Sequence, residues 1–405
     1  MNFSEPEHEL LVCCAKTDFK PVEQRVACLL EKSLDWGALV GLASRHGVVS
    51  LLYRNLHPTF DDNIPANIRD ALKQLVQDNA RRNLLLTSKL MQILTRLEEA
   101  QIEAMPFKGP ALAMELYHDV ALREFVDLDV LVHEQDVPQA RQVLKSLGYR
   151  QDDDYGDKEE HDQAHDLYNH FFTAADGTHA VELHWRLAKP HFAHLSNTFS
   201  FWEGCEPARF FNLTIRRPRP ENMLMYLCAH GARHRWMRLA WLVDLAEFLR
   251  VYPAMDWDYI LAQSARQRST RVLLIGLALA HEMLGTALPE AIQPMLRRDR
   301  HAISQFTQEI QSVMFEEHTS PPIDNEVYAF HIRMRESWLD RLIYLRYPLR
   351  KKVKPGPKDV AMIVLPESLS FLYYVLRPIR LLVTYGTQKI RGILKAPMST
   401  TGSKP

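Results

Sequence analysis

Glycine is scarce in this sequence, and the usual glycine-rich phosphate-binding signatures are missing. Only 15 of the 405 residues are glycine. Neither the G-x-G-x-x-G pattern of dinucleotide-binding folds nor the G-x-x-x-x-G-K-[ST] pattern of P-loop proteins occurs. These two common phosphate cradles are therefore excluded, and any phosphate site must be built in another way.

Paired cysteines, long apolar runs and a basic leader are also lacking. The five cysteines are scattered and form no C-x-x-C motif, which disfavours a cysteine zinc site and indicates reduced thiols. No run approaches the ~18 apolar residues of a transmembrane helix. Acidic residues, not basic ones, precede the short apolar stretch near the N-terminus, unlike a secretory signal. We therefore expect a cytoplasmic protein.

The net charge of −1 hides an uneven distribution. Residues 341–405 hold 13 basic and 2 acidic residues, so the remaining body is acidic. We expect 341–405 to form a basic amphipathic tail. Such a tail can make peripheral contact with anionic membrane lipid, dock on the acidic body or hold an anionic partner, and these alternatives stay open. An acidic body gives no strong nucleic-acid signal.

The spacing of apolar residues predicts an α+β fold in which a small mixed β-sheet lies between two helical regions. Residues 1–100 have apolar residues at three- and four-residue spacing, typical of helices. Residues 101–215 mix short extended runs with helical segments, and a turn at Asp176-Gly177 predicts a hairpin. Residues 216–340 return to a helical pattern, and the tail follows.

The stretch VDLDVLV, residues 126–132, places two carboxylates in an apolar strand. Asp127 and Asp129 share one face because successive strand residues point to opposite sides. So close a pair repels and loses hydration unless a divalent cation neutralises it. Mg²⁺ binds one or two carboxylates together with phosphate oxygens, and Mn²⁺ is an alternative. Glu182, in the strand-like run HAVELHWRL, is the candidate third carboxylate.

These motifs resemble the bacterial family of uncharacterised nucleotidyltransferases, within the polymerase-beta-like superfamily. The similar segments are FKGPALAMELYHDVALREFVDLDVLV, ARQVLKSLGYR and VELHWRL. The resemblance implies that Asp127, Asp129 and Glu182 are the catalytic metal ligands. It also implies that Gly109 marks the loop that receives the triphosphate. Many relatives have serine after this glycine, whereas this chain has Pro110, so the backbone N–H groups that follow must supply the phosphate contact.

Five more residues have two interpretations each. Lys108 either contacts phosphate or is a solvated lysine at a strand end. Arg123 either reaches the triphosphate or pairs with the aspartates. His184 is a metal ligand or a hydrogen-bonded residue of the cleft. His230 and His234, four apart on a helix, either bind zinc with Asp244 or line the cleft and pack between helices.

Two functions of different classes follow. The first is a metal-dependent enzyme that moves a nucleoside monophosphate from a nucleoside triphosphate, such as ATP, to an unknown small-molecule, peptide or protein acceptor, releasing pyrophosphate. The second is a catalytically silent protein that keeps this scaffold for binding or regulation. Hydrolysis of a phosphoester by the same three carboxylates is a further alternative.

Overall fold

A computed structural model describes residues 3, 5–152, 168–188, 201–316 and 324–353, together with 369, 372–374, 376–377 and 380. The chain divides into two compact units, Met1–Glu336 and Ser337–Pro405. None of the described helices is long and apolar enough to cross a membrane. Most residues of the predicted basic tail, including Lys389, Arg391 and Lys395, lie outside the described residues.

Helices make up most of the described chain. They are α1 Pro6–Cys14, α2 Glu23–Leu30, α3 Trp36–His46, α4 Val49–Leu56, α5 Ala66–Glu99, α6 Gly109–Tyr117, α7 Val137–Ser146, α8 Pro220–Arg233, α9 Leu239–Val251, α10 Trp257–Arg266, α11 Thr270–Leu284, α12 Gln293–Arg298, α13 Arg300–Met314, α14 Asp324–Met334 and, in the second unit, α15 Trp338–Val353.

Local sequence explains several helix ends. Asp35 caps α3 by accepting a hydrogen bond from the backbone N–H of Ala38 at 2.9 Å. The same helix ends at Gly47, whose φ of 68° is costly for any other residue. Pro110 lies in the first turn of α6, where its missing N–H costs nothing.

Residues in the middle of the first unit's sequence form a five-stranded mixed sheet. Its strands are β1 Ala104–Pro106, β2 Asp127–Val132, β3 Tyr149–Gln151, β4 Asn169–Ala174 and β5 Ala180–His184, in the spatial order β1-β2-β5-β4-β3. Only the β2–β5 pair is parallel. The strands β6 Glu206–Phe210 and β7 Leu213–Arg217 form a separate hairpin.

Two apolar cores hold this unit together. One core joins the first four helices to the helices after residue 220, and it contains the fully buried Trp236. The other core packs alternate residues of the sheet, such as Leu128 and Val130, against α5 and α7. Alternation along β2 therefore buries the apolar face and leaves the aspartates on the other side.

The predicted α+β class with a small mixed sheet is confirmed, as is the β4–β5 hairpin at Asp176-Gly177. The sequence interpretation did not foresee β3 or the β6–β7 hairpin. β3 has only three residues and pairs with β4, whereas β6 and β7 are neighbours in sequence that pair with each other. The division at residues 100, 215 and 340 stays a prediction.

Candidate metal and phosphate centre

Parallel pairing of β2 and β5 brings two of the predicted carboxylates together. Asp129 is the register partner of Glu182, and Asp127 is the register partner of Ala180. A neighbouring strand lies about 4.8 Å away, so register partners have adjacent side chains. The group formed by Asp127, Asp129, Glu182, Lys108 and His184 is called the carboxylate centre below.

Asp129 has two cationic neighbours. Lys108 Nζ donates to Asp129 Oδ1 at 2.8 Å, and His184 Nε2 donates to the same oxygen at 3.0 Å. His184 Nε2 also lies 3.1 Å from Glu182 Oε2. The side chain of Asp129 is 1% exposed. A carboxylate this deeply buried is stable only when its charge is compensated, and these donors compensate it.

The pKa directions follow from burial and charge. Burial alone would raise the pKa of Asp129, but the Lys108 charge and the His184 hydrogen bond outweigh it and hold that pKa well below its ordinary value. Burial would lower the pKa of His184, but hydrogen bonds to Asp129 and Glu182 raise it above 6.5. Burial likewise opposes the charge of Lys108, and the Asp129 carboxylate prevails and raises the Lys108 pKa.

Asp127 is in a different state from Asp129. It is partly exposed at the first position of β2. Burial, with the nearby negative charge of Asp129, raises the pKa of Asp127 to about 6. The pKa values of Asp127 and Asp129 are therefore shifted in opposite directions, as expected when like charges share a site.

A divalent cation fits this donor set. Ligand atoms of Asp129, Glu182 and His184 lie within 4.8 Å of one another, and among the described residues no other group of three or more His, Cys, Asp or Glu side chains does so. Carboxylate oxygens suit Mg²⁺, and an added imidazole suits Mn²⁺ as well. Asp127 lies outside this group, and its role as a metal ligand stays a prediction.

The turn before α6 lies against the start of β2. Gly109 has a φ of 53°, and a Cβ atom built there would lie 3.3 Å from the carbonyl oxygen of Asp127. Lys108 is the residue that precedes α6, so its side chain starts at the helix N-terminus and ends at Asp129. The N-terminus of α6 therefore lies beside the carboxylates, where its backbone N–H groups favour an anion.

Arg123 pairs with a carboxylate that is distant in sequence. Its Nε lies 3.1 and 3.0 Å from the two carboxylate oxygens of Asp244, and Tyr117 donates to Asp244 at 2.8 Å. The alternative in which Arg123 pairs with Asp127 or Asp129 is not what the structure shows. Its predicted contact with the triphosphate stays a prediction.

His230 and His234 lie together at the C-terminal end of α8. Their rings are 4.8 Å apart, and the Trp241 ring is 5.4 and 5.1 Å from them. We call these three residues the histidine–tryptophan cluster. Burial, with the charges of Arg233 and Lys108, lowers the pKa of His234 to about 3, and burial lowers that of His230 well below 6.5. Because Asp244 is bound by Arg123, the zinc alternative is not formed by the described residues.

Two polar residues of this region were missed from the sequence. Asn169 Nδ2 donates to Glu182 Oε2 at 2.8 Å. Burial raises the pKa of the Tyr226 hydroxyl, which hydrogen-bonds the Lys108 ammonium. The signal for Asn169 was available, because it is the register partner of His184 in the predicted hairpin. Tyr226 lies on a helix far along the chain, and no local pattern links it to Lys108.

Comparison with known proteins found a matching family model and a similar solved structure. A family model described as "uncharacterised nucleotidyltransferase" matches residues 32–285, which is more than half of the chain and includes the whole carboxylate centre. No curated protein matches. The chain is also similar to the solution structure of the antibiotic-resistance factor ANT(2'')-Ia, with 12% identity, a TM-score of 0.35, and coverage of 49% of this chain and 97% of that one.

Proposed function

The chain belongs to the uncharacterised nucleotidyltransferase family, and from that premise we propose a metal-dependent transfer at the carboxylate centre. A nucleoside monophosphate would pass from a nucleoside triphosphate to an acceptor, and pyrophosphate would leave. One observation carries the proposal: Asp129, Glu182 and His184 converge on one point beside the N-terminus of α6. Carboxylates for a cation and a helix N-terminus for phosphates are the parts this reaction needs.

The residues would divide the work as follows. Asp129 and Glu182, joined by Asp127, would hold one or two divalent cations such as Mg²⁺ or Mn²⁺. Cations bound there neutralise the charge that develops on the phosphates during in-line displacement. Lys108 and the backbone N–H groups at the start of α6 would hold the outer phosphates.

Glu182 is the candidate proton acceptor from the attacking group. Asn169 donates to its Oε2 at 2.8 Å, and His184 lies 3.1 Å from the same oxygen, so the carboxylate is held in one orientation. A general base can act only when it lies within hydrogen-bond reach of the proton that it accepts. The acceptor would be a small molecule, peptide or protein whose nucleophile reaches the other oxygen of this carboxylate, Oε1.

Calorimetric titration of each nucleoside triphosphate with Mg²⁺ tests the donor half of the reaction without knowledge of the acceptor. We expect one nucleotide to bind only with the cation. Asp129→Asn should weaken that binding by about 100-fold or more, beyond the roughly 10–100-fold typical of losing an outer partner of a metal ligand. The control is Asp78→Asn, which removes an exposed carboxylate of α5. Equal binding by Asp129→Asn would refute the metal-ligand role.

A nucleotide labelled at the α-phosphorus tests the transfer itself. The proposal expects the label on an acceptor and pyrophosphate in solution. Label on free monophosphate, with no acceptor required, would indicate hydrolysis instead.

A silent binding protein is the second candidate, and Pro110 is the observation that favours it. Proline removes one backbone N–H from the first turn of α6, where many relatives have a serine. Metal-dependent nucleotide binding with no release of pyrophosphate in the presence of any acceptor class would support this candidate.

A further inference from the structure

Lys108 contacts the carboxylate that the proposed function assigns to the cation, and it also begins at the helix end assigned to the phosphates. We propose that Lys108 is a latch: it competes with the divalent cation for Asp129, and the bound triphosphate draws its ammonium away and thereby favours cation binding. The inference rests on the proposed function, because it concerns how cation and nucleotide bind to the same centre.

The geometry at one oxygen carries the first step. Asp129 Oδ1 accepts from Lys108 Nζ at 2.8 Å and from His184 Nε2 at 3.0 Å. A carboxylate oxygen has about two lone-pair positions, so Oδ1 is saturated by these two donors. A cation that coordinates this oxygen must displace one of them, and a cation on the other oxygen, Oδ2, would still lie close to the Lys108 ammonium. His184 is the more firmly held donor, because it lies on β5 and also contacts Glu182, whereas Lys108 reaches Asp129 through a long flexible side chain.

Electrostatics opposes the cation while Lys108 stays in place. A lysine ammonium is positively charged at neutral pH, and Lys108 Nζ lies 2.8 Å from Asp129 Oδ1. A divalent cation placed on Asp129 would lie a few ångströms from that ammonium in a region where the Asp129 side chain is 1% exposed. Like charges at this distance repel strongly when water screens them poorly. The ammonium must therefore move, or the cation binds weakly.

The ammonium of Lys108 can change its partner while the backbone stays in place. Lys108 is the residue that precedes α6, and Gly109 beside it lies against the carbonyl oxygen of Asp127. The backbone position is thus fixed, while the side chain has four rotatable bonds. A phosphate at the N-terminus of α6 lies within reach of the same side chain, and it offers the ammonium a new anionic partner. Nucleotide binding therefore removes the competitor of the cation.

The latch makes a prediction that simpler roles do not. A lysine that only binds phosphate would leave the affinity for the cation alone unchanged when it is removed. A lysine that only stabilises the fold would lower both affinities or neither. A latch changes them in opposite directions: without Lys108, the cation alone binds more tightly and the triphosphate binds more weakly. By linkage, the favourable coupling between cation and nucleotide also shrinks.

The experiment measures Mn²⁺ binding without nucleotide, from the free-ion signal in electron paramagnetic resonance and by calorimetry. The variants are Lys108→Met, Lys108→Gln and Asp129→Asn. Lys145→Met, which removes an exposed lysine of α7, is the matched control. We expect about tenfold tighter Mn²⁺ binding by Lys108→Met and no change in the control, within the 5–150-fold range of measured couplings. The glutamine variant substitutes if the methionine variant does not fold.

A second titration adds a non-hydrolysable triphosphate analogue. The analogue should tighten Mn²⁺ binding to the wild type more than to Lys108→Met. Unchanged or weaker Mn²⁺ binding by a folded Lys108 variant overturns the latch. If the wild type still binds Mn²⁺ and Asp129→Asn does not, the proposed metal site survives that outcome. Absence of Mn²⁺ binding in every protein, with or without the analogue, overturns the metal-dependent function and the latch together.

Discussion

The carboxylate centre and the histidine–tryptophan cluster hold the same kind of side chain in opposite electrostatic states. His184 is buried beside Asp129 and Glu182, and its pKa is raised. His234 is half-buried beside Trp241 and Arg233, and its pKa is lowered to about 3. Burial disfavours the charged imidazole in both places, so the neighbours decide the difference. We therefore expect charge to stabilise the first region and close packing to stabilise the second.

Removal of Asp129, the carboxylate on which the carboxylate centre depends, should have the largest effect on the difference between the two regions. Asp129→Ala leaves the buried Lys108 and His184 without their shared anionic partner. Breaking a buried ion pair in this way costs about 3–5 kcal/mol, so we expect a loss of that size in the free energy of unfolding, measured in urea.

Two further variants test whether that loss is electrostatic. Asp129→Ala combined with Lys108→Met should recover much of it, because the stranded ammonium is gone. His230→Phe should cost far less, because the buried His230 Nδ1 has no hydrogen-bond partner among the described residues. If the double variant is no more stable than Asp129→Ala, charge is not what stabilises this region.

Packing in the second region is tested at Gly231 of α8. A Cβ atom there would lie 2.3, 2.4 and 2.5 Å from atoms of the Trp236 ring, and Trp236 is fully buried. Gly231→Ala must therefore displace a rigid ring, and overpacking of this kind costs about 1–3 kcal/mol. Urea unfolding, followed by tryptophan fluorescence, measures the change.

Gly41 of α3 provides the matched control for that substitution. A Cβ atom there would have nothing within 4 Å, so Gly41→Ala should be neutral or gain about 0.5–1 kcal/mol from helix propensity. Equal effects at the two glycines would mean that Trp236 is not tightly held.

The sequence was sufficient for features that have a local cause. Alternation along β2 predicted that Asp127 and Asp129 share a face, and the Asp176-Gly177 turn predicted the hairpin that carries Glu182. The parallel register that sets Glu182 beside Asp129 was not predicted. No local pattern determines such a register, because the two strands are separated by a crossover of nearly fifty residues.

Contacts between distant residues could not be predicted in this way. Arg123 was expected near the aspartates or the phosphates, but it pairs with Asp244, which lies on α9. Lys108 was expected to contact phosphate or water, and the structure gives it Asp129. A long flexible side chain can reach several partners, and tertiary packing determines which of these contacts forms.

The pH dependence of stability should have opposite signs in the two regions. The folded-state pKa of His234 is lowered to about 3, so below about pH 6.5 the unfolded chain takes up a proton that the folded protein does not. Stability should fall by about 1.4 kcal/mol per pH unit from this residue as the pH drops from about 6.5 towards 3. His184 has a raised pKa, so its contribution is complete below about pH 6.5 and is lost as the pH rises through its folded value.

Histidine-labelled nuclear magnetic resonance checks these signs directly. The ring signals of His234 should stay those of a neutral imidazole down to pH 4, while those of His184 should remain protonated above pH 6.5. Titration of both rings near 6.5 would remove the contrast between the two regions. Urea unfolding of His234→Gln at pH 5 and pH 7 gives the matching energetic measure, with a smaller pH effect than in the wild type.

A last effect on stability and binding separates the two kinds of glycine. Gly231 is required because its neighbour is close, whereas Gly109 is required because its φ is 53°. Gly109→Ala should cost about 1–2 kcal/mol, since left-handed backbone is unfavourable for alanine. Gly177 in the β4–β5 turn has a φ of 70° and nothing within 4 Å of a Cβ atom, so Gly177→Ala should carry a similar cost.

Only Gly109→Ala should also weaken triphosphate binding in calorimetry, because the added Cβ meets the Asp127 carbonyl at 3.3 Å and shifts the start of α6 from the carboxylate centre. Equal nucleotide affinities in the two variants would show that this turn supports the fold and not the phosphate site.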